Sequence, residues 1–312
     1  MLVVSREKRC FKDDEFKNFY KYIRPGDCLV LNDTRVFPAR LHGKRASTGA
    51  LVEVFLVRAL NEEETAWQAL VKPGKRVRTG DQIVFAPGLT AQVLSSNDFG
   101  ERTLRFVSDQ PLSELLDLVG ETPLPPYIHR APTSNDQSRY QTVFAKHRGS
   151  VAAPTAGLHF TPEVLDLCQE AGAEIAYVTL HVGLGTFAPL RDEKLADIRL
   201  HAERFVISEA NAEVMRRAKR LFCVGTTSVR AIETALLKGA LSSQSGETNL
   251  FIHPGFHFRG TGAMLTNFHL PQSSLLMLVC AFAGRELTLA AYKHAVSEGY
   301  RFFSYGDCML IQ

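Results

Sequence analysis

Short apolar runs alternate with helical spacings in the first 45 residues and again after residue 149. Apolar runs at 2–5 and 28–32 predict buried strands, and aromatic residues between them recur at helical spacing over 13–22. After residue 149 we predict strands at 175–182, 221–224, 251–252, 263–266 and 302–304, and helices at 208–220, 229–238 and 286–297. This alternation is typical of an α/β domain.

The middle of the chain has a different pattern. Alternating apolar and polar positions recur at 51–60, 66–71, 82–85, 91–94 and 102–107, separated by turns rich in Pro, Gly, Asn and Asp. A helix at 112–119 and an extended proline-rich connector at 123–127 follow. We therefore predict a large α/β domain, residues 1–45 and 126–312, interrupted by an inserted small antiparallel β-barrel domain at 46–125.

Composition narrows the class of protein. The chain is 45% hydrophobic and 22% charged, as is ordinary for a globular protein, and its net charge of +3 permits a nucleic-acid partner without arguing for one. The six cysteines include no Cys-x-x-Cys pair, which argues against a zinc site or a disulfide framework and favours reduced thiols. The longest apolar run, 275–283, is too short for a membrane span, and the N-terminus lacks an apolar signal core. We expect a cytoplasmic protein.

A stretch of small residues at 149–163 contains only two large side chains, His159 and Phe160. Small residues let a ligand approach the backbone closely, and Thr161 with Pro162 is typical of a helix start. A ligand site for a planar polar molecule is one interpretation. A tight strand-to-helix turn with a buried histidine is the other.

Two glycine-containing turns follow predicted strands. Residues 225–228, followed by Arg230, could bind an anion at a helix N-terminus or, equally, form a helix cap without a ligand. The lysine of the P-loop motif is absent, so the sequence does not indicate a nucleoside triphosphate. Residues 183–188 read G-x-G-x-x-A and invite a dinucleotide-dependent oxidoreductase as an alternative. Pro189 stands where the helix of that motif should already run, so glycines that admit a ligand to the backbone fit better.

Imidazoles gather near predicted strand ends, at His159, His181, His201 and His269. The His-x-Glu of His201 and Glu203 is shared with zinc deaminases, but their Pro-Cys-x-x-Cys partner is absent, which leaves a proton-transfer pair or two polar residues on a strand edge. Four such histidines favour one shared polar site over four separate buried residues.

Basic residues cluster at turns of the predicted barrel: Lys72, Lys75, Arg76 and Arg78. Phosphate contact is the functional interpretation and a solvated face the ordinary one. An RNA-binding module without catalysis is therefore a further alternative, although it does not account for the imidazoles.

Together these stretches resemble the S-adenosylmethionine:tRNA ribosyltransferase-isomerase family of queuosine biosynthesis. The resemblance rests on PGDCLVLNDTRV (25–36), PLPPYI (123–128), YQTVF (140–144), GSVAAPTAGLHFT (149–161), HVGLGTF (181–187), HAE (201–203), VGTTSVR (224–230) and LTNFHLP (265–271). Members of this family usually carry a further N-terminal segment ahead of the first strand.

The resemblance implies transfer of the ribosyl part of S-adenosylmethionine to the aminomethyl-deazaguanine at the wobble position of tRNA, with loss of adenine and methionine. It implies no metal and no cofactor, since S-adenosylmethionine is consumed, and we expect a monomer. His159, His181, His201, Glu203 and His269 become the candidates for proton transfer. The substrate contacts implied are Asn32, Asp33, Arg35, Thr155, Gly157, Phe160, Gly183, Gly185, Thr186, Phe187, Gly225, Thr226, Thr227, Ser228, Arg230 and Asn267. Residues 225–228 with Arg230 would take the methionyl carboxylate, 183–187 would line the nucleoside, and the barrel turns would hold tRNA.

Overall fold

The fold is that of a computed structural model that describes residues 1–97, 100–125, 127–128, 130–183, 195, 198 and 200–312. The chain forms two compact units. The large unit comprises Met1–Arg35, Arg139–His147 and Ala153–Gln312, and the small unit comprises Val36–Ser138 and Arg148–Ala152. The predicted architecture, an α/β unit interrupted by a barrel, is confirmed. The small unit begins at Val36 rather than at residue 46 and extends to Ser138 rather than to 125.

Strands and helices are numbered in chain order. The described strands are β1 Leu2–Ser5, β2 Cys10–Asp13, β3 Asp27–Asn32, β4 Thr34–Val36, β5 Arg40–Arg45, β6 Leu51–Ala59, β7 Ala66–Lys72, β8 Gln82–Ala86, β9 Leu89–Ser96, β10 Glu101–Ser108, β11 His147–Ser150, β12 Glu174–Leu180, β13 Glu203–Ile207, β14 Arg220–Val224, β15 Gln244–Thr248, β16 Thr261–Asn267 and β17 Cys308–Ile311. The described α-helices are α1 Leu112–Val119, α2 Ser134–Arg139, α3 Pro162–Glu170, α4 Glu209–Arg217, α5 Thr226–Leu237, α6 Ser274–Ala283 and α7 Arg285–Ser297. Short 3₁₀ helices cover Phe16–Tyr22, Gly74–Arg76 and Thr155–His159.

The large unit is built on one sheet with the strand order β15-β13-β12-β3-β14-β16-β17-β1-β2. Its centre, β12-β3-β14-β16, is parallel, and the outer pairs β12-β13, β13-β15, β16-β17 and β1-β2 are antiparallel. All six residues of β3 are buried, as expected for a central parallel strand covered on both faces. The parallel centre therefore has a single carboxyl edge, to which β3, β12, β14 and β16 all contribute.

Helix α5 follows β14, and its first ten residues are all buried. On one face of the sheet, Phe19, Phe160 and Phe222 meet edge to face, with ring centroids 5.3 Å apart for Phe19 and Phe160 and 5.1 Å apart for Phe19 and Phe222. Such aromatic pairs contribute about 1 kcal/mol each beyond the area they bury. This core holds the segment Thr155–His159 close to β16.

The small unit is a closed six-stranded barrel with the order β10-β7-β6-β5-β8-β9. Its strands alternate as predicted; in β6, Val52, Val54 and Leu56 face inward. Within the barrel, the sequence did not predict β5, whose residues Arg40–Arg45 include only one large apolar side chain, Leu41. Because β5 pairs with both β6 and β8, it closes the barrel and brings the start of the small unit forward.

Most predicted elements are confirmed within a few residues, and Thr161 and Ser208 cap α3 and α4 as expected. The strands predicted at 251–252 and 302–304 are wrong, and β17 pairs with β16 and β1 instead. Besides β5, strands β2, β4, β11, β13, β15 and β17 and helices α2 and α6 were not predicted. Of these, β15 reads QSGET, and a polar edge strand carries no apolar pattern to detect.

Among the described residues, no single helix has the length and apolarity to cross a membrane. Helices α6 and α7 pass that test only together, and the chain bends by 114° between them.

Candidate active site

Polar residues of the large unit converge where the parallel strands end. Asn32 ends β3, His181 follows β12, Gly225 follows β14, and Asn267 ends β16. Ligands of open α/β sheets bind at this carboxyl edge, because the loops there diverge and leave backbone groups free. Residues that lie far apart in the sequence are thus gathered along one edge.

The buried side chain of Asn32 holds this edge together. Its Nδ2 donates to the carbonyl of Leu180 at 3.0 Å and to Oγ1 of Thr227 at 3.2 Å, while Oδ1 accepts from the amides of Thr34 and Leu180 at 3.2 and 3.0 Å. One amide therefore joins the ends of β3 and β12 to the first turn of α5. These hydrogen bonds give Asn32 a structural role at the edge.

His181 lies beside Thr34, with Nδ1 at 2.8 Å from Oγ1 of the threonine. Burial, together with the positive charge of Arg204 nearby, lowers the pKa of His181 to about 4. The imidazole is consequently neutral at pH 7.

His159 lies beside Asn267, with Nε2 at 3.0 Å from Oδ1. The Nδ2 group of Asn267 points the other way and donates to the carbonyls of Phe303 at 2.9 Å and Ser304 at 3.3 Å. Because those two acceptors identify the amide nitrogen, the atom facing His159 is an oxygen, and Nε2 must carry the proton. Burial lowers the pKa of His159, so the neutral ring offers a lone pair at Nδ1, which has no hydrogen-bond partner among the described residues.

Phe303 contributes to this arrangement through its backbone. Its φ of +73° lies in the left-handed region, where a bulky side chain is strained by about 1–3 kcal/mol. Its amide donates to the carbonyl of Phe268 at 3.1 Å and its carbonyl accepts from Asn267, which holds the strained residue in place.

His269 follows β16 and faces Thr266, with Nε2 at 2.8 Å from Oγ1. Its backbone amide donates to the hydroxyl of Tyr292 at 2.9 Å. Burial lowers the pKa of His269 to about 4, so this ring is also neutral at pH 7.

Glu203 and Arg230 form a buried ion pair. Arg230 Nη1 donates to Oε2 of Glu203, and Oε1 accepts from the amide of Gly183 at 2.9 Å. The guanidinium also donates from Nε to the carbonyl of Leu250 at 3.2 Å. Arg230 is therefore already neutralised by a carboxylate, whereas the sequence indicated a cation for an incoming anion. His201, two residues before Glu203, is exposed.

The turn at 225–228 is confirmed as the start of a helix. Gly225 adopts a φ of +87°, the Ser228 hydroxyl donates to the carbonyl of Val224 at 2.8 Å, and the Thr227 hydroxyl accepts from Asn32. Thr226, like its neighbours, is buried. The side chains of 227 and 228 are thus engaged within the protein, and the backbone amides of the first turn are the groups that suit an anion.

The small residues at 149–163 serve close packing. A Cβ on Gly157 would lie 2.8 Å from both Phe144 Cζ and Thr142 Cγ2, so any other residue would force one of these side chains to shift. Phe160 is a core residue with 2% exposure. Thr155 is half-buried at the start of the 3₁₀ helix that ends at His159.

The remaining predicted contacts are dispersed. Asp33 is buried beside Thr179, and Arg35 is exposed. Gly185, Thr186 and Phe187 lie outside the described residues. Sequence reasoning missed Thr34, Thr179 and Phe303, since hydroxyls and a strained phenylalanine within apolar strands and loops give no pattern of their own.

The four basic residues of the barrel turn, in the small unit, are all exposed: Lys72, Lys75, Arg76 and Arg78. Lys72 Nζ lies 3.7 Å from a Glu53 carboxylate oxygen. The buried Arg102 donates to the carbonyls of Gly74 at 2.7 Å and Val77 at 3.2 Å and so shapes the turn from beneath.

No group of three or more His, Cys, Asp or Glu side chains suited to a metal ion occurs in the part of the chain that the structure describes. The prediction that no cofactor is needed stays a prediction. The six cysteines are free, and Cys10 is the exposed one.

A parallel sheet whose carboxyl edge carries neutral imidazoles, buried amides and a buried ion pair is typical of an α/β enzyme. Residues 1–311 match the family described as "Queuosine biosynthesis protein", and the chain belongs to that family. Similar curated relatives are the S-adenosylmethionine:tRNA ribosyltransferase-isomerases of Solibacter usitatus, 54% identical, and Caldanaerobacter subterraneus subsp. tengcongensis, 47% identical; each match covers 100% of this chain and 92% of the relative. The crystal structure of an S-adenosylmethionine tRNA ribosyltransferase from Thermotoga maritima is 34% identical, with a TM-score of 0.53, over 100% of this chain and 91% of that one.

Proposed function

We propose that this chain transfers and isomerises the ribosyl moiety of S-adenosylmethionine onto the 7-aminomethyl-7-deazaguanine at the wobble position of tRNA. Epoxyqueuosine in tRNA is formed, and adenine and methionine leave. The observation that carries this proposal is the match to enzymes of that name over the whole chain, at 44–54% identity for the relatives that cover all of it. The family offers no support for the nicotinamide-dependent alternative or for a binding module without catalysis.

The chemistry requires a neutral base near a ribose carbon. A sulfonium acidifies the neighbouring ribose C–H, and a positioned base removes that proton in general base catalysis. His159, His181 and His269 are neutral imidazoles, but His181 and His269 each have one ring nitrogen beside a threonine hydroxyl. His159 is the candidate we favour as the base, because Asn267 defines its tautomer and leaves Nδ1 as the acceptor.

The ion pair changes the role inferred for two predicted site residues. Glu203 and Arg230 satisfy each other, and together they anchor the amide of Gly183, at the start of the glycine motif, to α5. We propose that they position Gly183 and that the methionyl carboxylate lies against the backbone amides at the start of α5.

We also propose that the turn at 72–78 contacts the phosphates of tRNA. Its exposed lysines and arginines form a compact cationic surface on a rigid barrel, and phosphate contacts of this kind supply most of the salt-dependent affinity for nucleic acid. Charge reversal at Lys75 and Arg76 should weaken tRNA binding and reduce its dependence on salt. The same reversal at Lys44 and Arg105, two exposed residues of the barrel strands, is the control; equal affinity for both double variants would remove the turn from the interface.

We further propose that the protein acts as a monomer in the cytoplasm. Five of the six free cysteines are buried, and burial raises the pKa of Cys28 and Cys168 to about 12, so these thiols behave as small apolar residues. Free buried thiols suit a reducing compartment.

The test of the proposed reaction is adenine release from S-adenosylmethionine in the presence of tRNA that bears the aminomethyl base. Release should require both substrates, and the tRNA should gain the mass of the ribosyl-derived group. Unmodified tRNA is the control. Folded protein that binds both substrates and releases no adenine would refute the proposal.

A further inference from the structure

The large unit also contains an open groove with a volume of about 680 Å³. Helix α3, strand β12 and the segment before β11 form its sides, and Phe144, Leu165, Ile175 and Tyr177 give it an apolar lining. A groove of this size suits a small molecule or one exposed base. Asp33 belongs to the residues that line it.

Asp33 is held rigidly in a buried position. Its exposure is 6%, its Oδ1 accepts from the Thr179 hydroxyl at 2.6 Å, and its backbone carbonyl accepts from the amides of Lys146 and His147 at 2.7 and 3.1 Å. These contacts fix both the backbone and the carboxyl plane. The side chain is therefore ready to receive a partner without reorganisation.

The second carboxylate oxygen of Asp33 makes one long ion-pair contact among the described residues. Its partner is His147, whose Nε2 lies 3.6 Å from Oδ2, beyond hydrogen-bond distance, and whose side chain is half exposed. Burial raises the pKa of Asp33 against the opposing effects of the Thr179 hydrogen bond and of His147 and Lys146, which also line the groove, so these neighbours offset the burial only in part. A buried carboxylate of this kind is stabilised when a cation binds.

Two aromatic rings line the same groove as Asp33. The Tyr177 ring lies with its centroid 6.3 Å from that of Phe144, and its hydroxyl has no hydrogen-bond partner among the residues the structure describes. The charge of Asp33 also acts on the pKa of Tyr177, which burial raises. A carboxylate next to aromatic faces is the usual environment for an organic ammonium, which gains both a charge partner and a cation–π contact.

We propose that this groove binds a primary ammonium group of a substrate, with Asp33 as its counter-ion and Tyr177 as its aromatic wall. The proposed function determines which substrates could supply this ammonium group, and in that respect the inference rests on it. Two occur in the reaction: the aminomethyl group of the deazaguanine base and the α-ammonium of S-adenosylmethionine. Both present the same chemistry to Asp33, and binding measurements separate them.

The experiment compares wild-type protein with Asp33→Asn by isothermal calorimetry. Asparagine keeps the shape and an oxygen for Thr179 while removing the charge. The ligands are free 7-aminomethyl-7-deazaguanine and its 7-methyl isostere, which lacks the amine, and S-adenosylmethionine and its analogue without the α-amine. Glu213→Gln, which neutralises an exposed carboxylate on α4 outside the groove, is the control variant.

Asp33→Asn should weaken binding of one ammonium ligand by about tenfold or more and leave its amine-free analogue unchanged. The ligand affected identifies the source. Equal loss for the ammonium ligand and its analogue, no loss for either, or no binding of either ammonium ligand to the wild type would overturn the proposal. If Asp33→Asn does not fold, Tyr177→Leu, which removes the aromatic face, replaces it, with an expected loss of severalfold for the same ammonium ligand alone.

Calorimetry on folded protein separates this inference from the proposed reaction. If the wild type releases no adenine, but Asp33→Asn still weakens binding of the ammonium ligand and not of its amine-free analogue, the reaction assignment fails and the ammonium site stands. If adenine is released and Asp33→Asn binds every ligand as the wild type does, the ammonium site fails alone.

Discussion

The Nε2 atom of His159 lies 3.0 Å from Oδ1 of Asn267, and this contact decides which imidazole nitrogen is protonated. Asn267→Asp places a carboxylate at that position, which favours the imidazolium and raises the pKa of His159. We expect kcat to fall at neutral pH and the ratio of variant to wild-type kcat to rise as the pH is raised. Because aspartate also lacks the donor to the Phe303 carbonyl, the ratio should stay below one.

The matched variant is His159→Ala, whose kcat should fall by about 10²–10⁴-fold with no recovery at high pH. Adenine release, measured across the pH range for the three proteins, gives the ratios directly. A constant ratio for Asn267→Asp would show that Asn267 does not act through the ionisation of His159.

The pair of Glu203 and Arg230 should behave as a structural unit. Glu203→Gln leaves a buried guanidinium without its counter-charge, and we expect a loss of about 3–5 kcal/mol in the free energy of unfolding. The double variant Glu203→Gln/Arg230→Met removes both charges and should be more stable than Glu203→Gln alone. Urea unfolding of the wild type, both single variants and the double variant measures the coupling; purely additive losses would contradict it.

Two glycines at the site edge are required for different reasons. Gly225 has a φ of +87° and a ψ of 151°, a conformation open essentially to glycine alone, but a Cβ there would meet nothing closer than 3.5 Å, so Gly225→Ala should cost about 1–3 kcal/mol through backbone strain alone. Gly157→Ala instead brings a Cβ to 2.8 Å from two side chains, a packing conflict that typically costs about 1–3 kcal/mol.

A second substitution tells the two causes apart. Thr142→Ser removes the methyl group that crowds residue 157, so it should restore part of the stability of Gly157→Ala and none of that of Gly225→Ala. Denaturant midpoints of the two double variants measure this. Equal rescue of both glycine variants would refute the distinction.

Buried histidines should make the fold sensitive to mild acid. His269 has a folded-state pKa of about 4 against an ordinary value of 6.5, so the unfolded chain binds the extra proton first. The stabilising contribution is complete above pH 6.5 and is lost as the pH falls toward 4; between pH 7 and pH 5 the loss is on the order of 2 kcal/mol for this residue.

His269→Gln should therefore lose less stability than the wild type between pH 7 and pH 5, whatever its stability at pH 7. The exposed His257, replaced in the same way, is the control and should leave the difference unchanged. Unfolding free energies at the two pH values measure the effect, and an unchanged difference in His269→Gln would contradict it.

The sequence predicted the fold wherever local pattern decides structure. The buried run of β3, the caps at Thr161 and Ser208, and the alternation of β6 are all local signals. Strand β5 and strand β15 carry few apolar residues, so only pairing with neighbours reveals them.

The sequence indicated which residues belong to the site, but not which of them contact each other. The motifs marked His159, Asn267, Glu203 and Arg230, but His159 and Asn267 are 108 residues apart and Glu203 and Arg230 are 27 apart. Such pairings follow from the strand order, which no local pattern contains. The sequence therefore predicted that Arg230 would be available to an anion, whereas in the fold it pairs with the carboxylate of Glu203.

The position of β17 has a consequence for how the protein is made. This strand lies between β16 and β1 and pairs Met309 with Leu2, whereas all six barrel strands lie within residues 40–108. On the ribosome the barrel can fold as soon as its own residues have emerged, but the large sheet must wait with β1 unpaired on that side until residue 311 is synthesised. During that interval the apolar Leu2, Val3 and Val4 present an open strand edge, the stage of biogenesis most exposed to aggregation and to capture by chaperones.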